Sequence, residues 1–136
     1  MMANIWLNAA QNGDLRRLKL CIKGCPFLDI NSTSSLGQSA LMLAIPKNNM
    51  KIISYLLKHN INIHISDNFG ENALSLALRF KNDKLSEILY EKGCRITKTL
   101  SKSLGAIQES LKKRINSWKT AKYLAIAYLT HKVNLI

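Results

Sequence analysis

Acidic residues are scarce in this chain: eight Asp and Glu stand against twenty Lys and Arg, a formal net charge of +12 over 136 residues. No two carboxylates share an element in a spacing suited to general acid–base work. Two prolines and six glycines are too few for a fibrous or low-complexity chain. β-Branched residues alternate with polar ones over no long run, so helices are favoured over strands. There is no glycine-rich phosphate loop. Cys21, Cys25 and Cys94 are odd in number and lack the C-x-x-C spacing of redox and zinc sites, which points to free thiols in a reducing compartment. His59, His64 and His131 are scattered, and neither they nor the cysteines form a metal set. Cys21 and Cys94 read as small core residues, and His64 as a structural hydrogen-bonding residue. The longest apolar run, Tyr123–Leu129, is too short to span a bilayer. The opening MMANIWLNAAQNGD lacks the basic region and apolar stretch of a secretory signal. The expectation is a soluble, cytoplasmic, monomeric chain without cofactor, metal or catalytic activity.

Nearly half of the residues are apolar, enough for a single domain that buries roughly two-thirds of its unfolded surface. The charge is uneven. Residues 1–66 carry seven basic and two acidic side chains, 67–96 five of each, and 97–136 eight against one. One reading of this excess is an electrostatic surface for nucleic acid or anionic membrane. The other is compositional, since Lys, Asn and Ile are enriched together.

The dominant pattern is a unit that occurs twice. GQSALMLAIPKNNMKIISYLLKHNINI (37–63) and GENALSLALRFKNDKLSEILYEKGCRI (70–96) superpose without a gap at an offset of 33 residues, a period typical of stacked repeats. In each copy a polar N-cap (Ser39, Asn72) opens a short apolar helix, which Pro46 is expected to end in the first of them. A turn at Asn48-Asn49 or Asn82-Asp83 leads into a longer helix with a stripe of the Met50, Ile53, Leu56, Leu57 kind. Asn60 or Gly93 then supplies a left-handed C-cap. Ile61, Ile63 and Ile65 alternate with polar residues, as in an extended segment. Residues 4–25 hold a worn earlier copy, with helices separated by Asn12-Gly13-Asp14 and a stripe of Leu15, Leu18, Cys21 and Ile22. The polar stretch 26–36 reads as a turn-rich finger. Beyond 97 the period is lost, but Leu100, Leu104, Ile107, Leu111, Ile115 and Trp118 recur at helical spacing, and a second helix is expected from about Lys119 to Val133.

These copies resemble ankyrin repeats, whose consensus runs D-x-x-G-x-T-P-L-H-x-A-A, a turn, a second helix of the I-V-x-L-L-L type, then G-A-x-V-N. Matching residues are Asp67, Gly70, Leu74, Ala77, Ile88, Leu89, Gly93 and Ile96 in one copy. In the other they are Gly37, Leu41, Ala44, Ile52, Ile53, Leu56, Leu57 and Ile63. The T-P-L-H tetrapeptide is replaced by Ser39-Ala40-Leu41-Met42 and Asn72-Ala73-Leu74-Ser75, so the histidine bonds between neighbours are missing. The resemblance implies an all-α, ankyrin-type solenoid of helix-turn-helix repeats with short β-turn fingers. The expected divisions are about 4–33, 34–66 and 67–97, followed by a helical cap at 98–136, all within one domain.

It also implies a protein-binding module rather than an enzyme, with the partner held on the concave face and finger tips. By register the binding positions include Leu36, Gln38 and Lys47 in one copy, and Asn68, Phe69, Glu71, Arg79 and Phe80 in the next. Phe69 either stands exposed for a partner or folds back on Tyr90 or the next copy; Phe80 either stands exposed in the same way or packs on the C-terminal helices. Lys112, Lys113, Arg114, Lys119 and Lys122 form either a basic patch for nucleic acid or anionic lipid, or the solvated face of a cap. Small ankyrin proteins of this composition resemble those that intracellular bacteria and large DNA viruses direct at host proteins, which would entail delivery into a host cell. If 98–136 closes the stack, its deletion lowers the urea midpoint of unfolding followed by circular dichroism; an unchanged midpoint excludes a capping role.

Overall fold

The computed structural model describes residues 2–96, 109–117 and 119. Three residues with left-handed backbone, each followed at once by a polar N-cap, turn the chain between the two helices of successive pairs. Gly13 (φ +76°), Asn48 (φ +54°) and Lys81 (φ +56°) precede Asp14, Asn49 and Asn82. The side chains of those caps accept the backbone N–H groups of Arg17, Ile52 and Leu85. Each cap satisfies a donor that the first helical turn leaves without a partner. The pairs are α1 (Met2–Asn12) with α2 (Leu15–Gly24), α3 (Ala40–Ala44) with α4 (Met50–Lys58), and α5 (Ala73–Arg79) with α6 (Asp83–Glu91). A further helical stretch, α7, covers 109–117. No strand occurs among the described residues.

Aligning the caps lines up the core. Trp6, Leu41 and Leu74 occupy one equivalent position, Ala9, Ala44 and Ala77 another, and Cys21, Leu56 and Leu89 a third; all nine are buried. The alanines let the inner helices α1, α3 and α5 approach one another in succession, while each outer helix packs on its own partner. Leu111 and Ile115 of α7 join the same core.

The α-helix α3 ends at Ala44, ahead of Pro46, but the residue before the proline is not pushed out of the α region. The path continues as a 3-10 turn, Ile45–Lys47, and Ile45 stays right-handed helical (φ −63°, ψ −45°). A proline in the first turn of a helix gives up an N–H that would have no intrahelical partner, and burial of Ile45 outweighs the disfavour of α geometry before proline. Asn60 and Gly93 do have positive φ, as anticipated. His64 is exposed, and only its backbone N–H is seen to bond, to Asn62 Oδ1 at 2.9 Å. A cross-repeat bond is made at the equivalent position one copy earlier, where Asn31 Oδ1 accepts from Asn62 N–H at 2.7 Å.

The fingers are tight turns, and they stack. Ser34 N–H donates to Gln38 C=O (2.9 Å) and Gly37 N–H to Ser34 C=O (2.9 Å); Asp67, Gly70 and Glu71 repeat both bonds at 2.8 and 3.0 Å. Asn68 N–H reaches Leu36 C=O (2.9 Å), and its side-chain amide reaches Ser35 C=O (3.2 Å). The second finger passes so close that a Cβ on Gly37 would lie 2.8 Å from Asn68 Oδ1 and 3.2 Å from Asp67 Cα, on a backbone at φ +81°. Gly37→Ala therefore costs about 2 kcal/mol. Gly24→Ala, which meets nothing within 4 Å, gains about 0.5 kcal/mol. Chemical denaturation of the two variants checks the contrast.

Candidate functional site

Stacked fingers and inner helices enclose two adjoining hollows. One, of about 370 Å³, lies between Gln11, Gln38, Leu43, Lys47, Glu71 and Phe80, with Arg79 at its edge. The other, of about 470 Å³, is bounded by Asn4, Asn8, Gln11, Leu36, Gln38 and Leu43. Because Gln11, Gln38 and Leu43 border both, they form one continuous concave groove.

The groove has a nearly neutral, amide-rich wall. Glu71, mostly covered, forms an ion pair with Arg79, and Lys47 has no acidic partner among the described residues. The base of the third-copy finger is braced by Asp67, a buried side chain whose Oδ1 accepts from Phe69 and Glu71 N–H, both at 2.9 Å. That brace fixes where Phe69 and Glu71 project.

Of the positions anticipated from register, Gln38, Lys47, Glu71, Arg79 and Phe80 converge on the first hollow, and Leu36 on the second. Asn68 is committed to the finger stack through Ser35 and Leu36. Phe69 is 68% exposed and does not fold back on Tyr90. The Tyr90 ring is already covered by the Arg95 guanidinium, 3.7 Å from its centroid. Phe80 is 47% exposed. Helix α1 also contributes Asn4, Asn8 and Gln11, which register matching did not anticipate. Their signal was a polar stripe at i, i+4 and i+7 on an otherwise apolar helix.

The basic C-terminal positions are only partly within the described residues. Lys112, Lys113 and Lys119 are exposed, and Arg114 Nε lies 3.0 Å from a Glu87 carboxylate oxygen. Lys122 and the rest of the helix expected to 133 lie outside the described residues, as do Trp118 and the stretch 97–108.

The thiols have structural surroundings. Burial pushes Cys94 above its ordinary pKa, against smaller lowering effects from backbone bonds at Leu74 and Arg95 and from the Arg95 charge. Burial also raises Cys21, helped by neighbouring Cys25. Both remain protonated at neutral pH, the unreactive form. No group of three or more His, Cys, Asp and Glu that could hold a metal occurs among the described residues. No described helix is long and apolar enough to cross a membrane.

Three helix pairs in register, fingers stacked backbone to backbone and a concave inner wall define a helical repeat solenoid. The family described as ankyrin repeats (three copies) matches residues 6–99, and the chain belongs to that family. A putative ankyrin repeat protein of Acanthamoeba polyphaga mimivirus is 36% identical over 72 residues, 53% of this chain and 10% of that protein. A Dirofilaria immitis protein named L-asparaginase is 32% identical over 89 residues, 65% of this chain and 15% of that protein. The chain thus spans only a small part of each relative. Ankyrin repeats are in general protein–protein interaction modules and typically non-catalytic. Asp67→Ala removes the brace of the third-copy finger and costs about 2 kcal/mol, Asp67→Asn roughly half of that. Urea unfolding, with faster amide exchange at Phe69 and Glu71, checks both values.

Proposed function

We propose that the chain is a non-catalytic, monomeric binding module that holds a segment of another protein in the concave groove, with Phe69 and Phe80 as anchors. The observation that carries this reading is the exposure of both aromatic rings, one at a finger tip and one in the hollow that Gln38, Lys47 and Glu71 also border. Exposed aromatic side chains gain most when a partner desolvates them, and such residues dominate the energetics of protein interfaces. The amide groups of Asn8, Gln11 and Gln38 suit a polypeptide, whose backbone offers donors and acceptors in alternation. Lys47 favours a carboxylate on the bound segment. The near-neutral wall suits a protein ligand better than a polyanion, since nucleic-acid affinity rests on many phosphate contacts.

A cytoplasmic role directed at a host protein is the finer form of this proposal. Its support is the Lys-, Asn- and Ile-rich composition together with the similarity to the mimivirus protein.

Affinity capture followed by titration of the identified partner tests the reading. Phe69→Ala and Phe80→Ala each weaken binding about tenfold or more, while Lys112→Gln with Lys113→Gln leaves it unchanged. Binding that survives both aromatic substitutions, or that follows the lysine pair, overturns it.

A further inference from the structure

Apart from Lys47, the cations of the first two copies lie away from the groove. Helices α2 and α4 carry Arg16, Arg17, Lys19, Lys23, Lys51 and Lys58 and no carboxylate. The acid at the cap of α2, Asp14, pairs with Arg17 at 3.3 Å. The adjoining outer helix α6, by contrast, holds Asp83, Glu87 and Glu91. The outer face is therefore polarised, with its positive end on the first pair.

That positive end is also apolar. Leu20 is 59% exposed, Ile5 43% and Met2 37%; with Arg17 and Cys21 they surround a hollow of about 340 Å³ at the free side of the first pair. Arg16, Leu20 and Lys23 lie on one stripe of α2, at i, i+4 and i+7. At the far end of the helix, Phe27 is 93% exposed in a turn closed by Leu28 N–H to Cys25 C=O at 3.2 Å. That turn is an insertion. From the cap Asp14 to Asp29, which accepts from Asn31 N–H, is two residues longer than from Asn49 to Asn62, which accepts from His64 N–H in the same way.

We infer that the outer face of α2, with the start of α1 and the Phe27 turn, docks on an anionic lipid bilayer. A neighbouring repeat is the obvious alternative occupant, because Ile5 is equivalent to the buried Ala40 and Ala73. The residue at the third helical position argues against it. Ile52 and Leu85 are fully buried there in the later copies, whereas the first copy has the exposed Arg17. A face built to receive another repeat would not place a guanidinium where the stack needs an aliphatic side chain. A second copy of the chain would bring the same cations together across the contact. Nucleic acid would match the charge, but Leu20, Ile5 and Met2 would gain nothing from phosphates. At a bilayer surface the two halves of the patch act together. Basic side chains meet the anionic headgroups, and aliphatic and aromatic side chains enter the acyl boundary. This surface is separate from the groove, so the proposal does not rest on the groove's role.

Flotation of the full chain with phosphatidylcholine vesicles, with and without phosphatidylserine, tests it. The chain floats only with the phosphatidylserine vesicles. Arg16→Gln and Lys23→Gln weaken that binding by about fivefold for each charge removed. Leu20→Ser and Phe27→Ser, tested singly at exposed positions and with thermal melts confirming the fold, weaken it by about tenfold each at unchanged charge. The groove variants Phe69→Ala and Phe80→Ala do not alter it. Equal binding to both vesicle types overturns the proposal, as does full binding by the serine variants. It also fails if Lys112→Gln with Lys113→Gln abolishes flotation while the α2 charge variants retain it. Duplex DNA that binds wild type and the Leu20 and Phe27 variants alike, together with failure of the wild type to float, would assign the charge to nucleic acid. A sedimenting dimer that Leu20→Ser dissociates, again without flotation, would assign the patch to self-association.

Discussion

The arrangement depends on how closely one finger can approach the next. Asn68 N–H reaches the Leu36 carbonyl at 2.9 Å only because position 37 has no side chain to hold the backbones apart. A residue with a Cβ would suffer twice, from the left-handed backbone and from the passing Asn68 and Asp67. This contact sets the spacing of copies at the finger edge, as the Ala9, Ala44 and Ala77 layer does at the inner helices. The width of the groove follows from the two together. Its chemistry is free to vary at the exposed lining positions such as Gln11, Lys47 and Phe80, which are not part of the buried core.

The architecture was legible because it rests on local chemistry that recurs. Buried aliphatics at the same step in each copy, polar caps and left-handed turn residues each leave a mark on the sequence. Matching at a fixed period also placed Gln38, Glu71, Arg79 and Phe80 near one another. It failed where the copies differ in length. The two-residue insertion around Phe27 shifts α1 and α2 out of the period, so the Asn4, Asn8 and Gln11 stripe was not assigned to the groove. Tertiary context settled the rest. Arg95 rather than Phe69 covers the Tyr90 ring, and the chain keeps helical geometry through Ile45 and Pro46 as a 3-10 turn. Neither outcome is visible from spacing.

Charge is distributed by layer as well as along the chain. The inner helices α1, α3 and α5 contain a single ionised residue, Arg79, which is balanced by Glu71. The outer helices of the first two copies contain six cations. A large net charge can therefore coexist with a groove suited to a polypeptide. The outer face, with six cations on its first two helices, is the face whose electrostatics salt screens most.

Lys81 occupies the left-handed position before the cap of α6, where the earlier copies have Gly13 and Asn48. Both of those residue types tolerate positive φ more readily than lysine does. The third copy is thus folded around a residue that is not the best available for its backbone. In evolutionary terms this is unspent mutational headroom. A single exposed change at position 81 could offset a destabilising change elsewhere, and so let the exposed groove positions vary without loss of the scaffold.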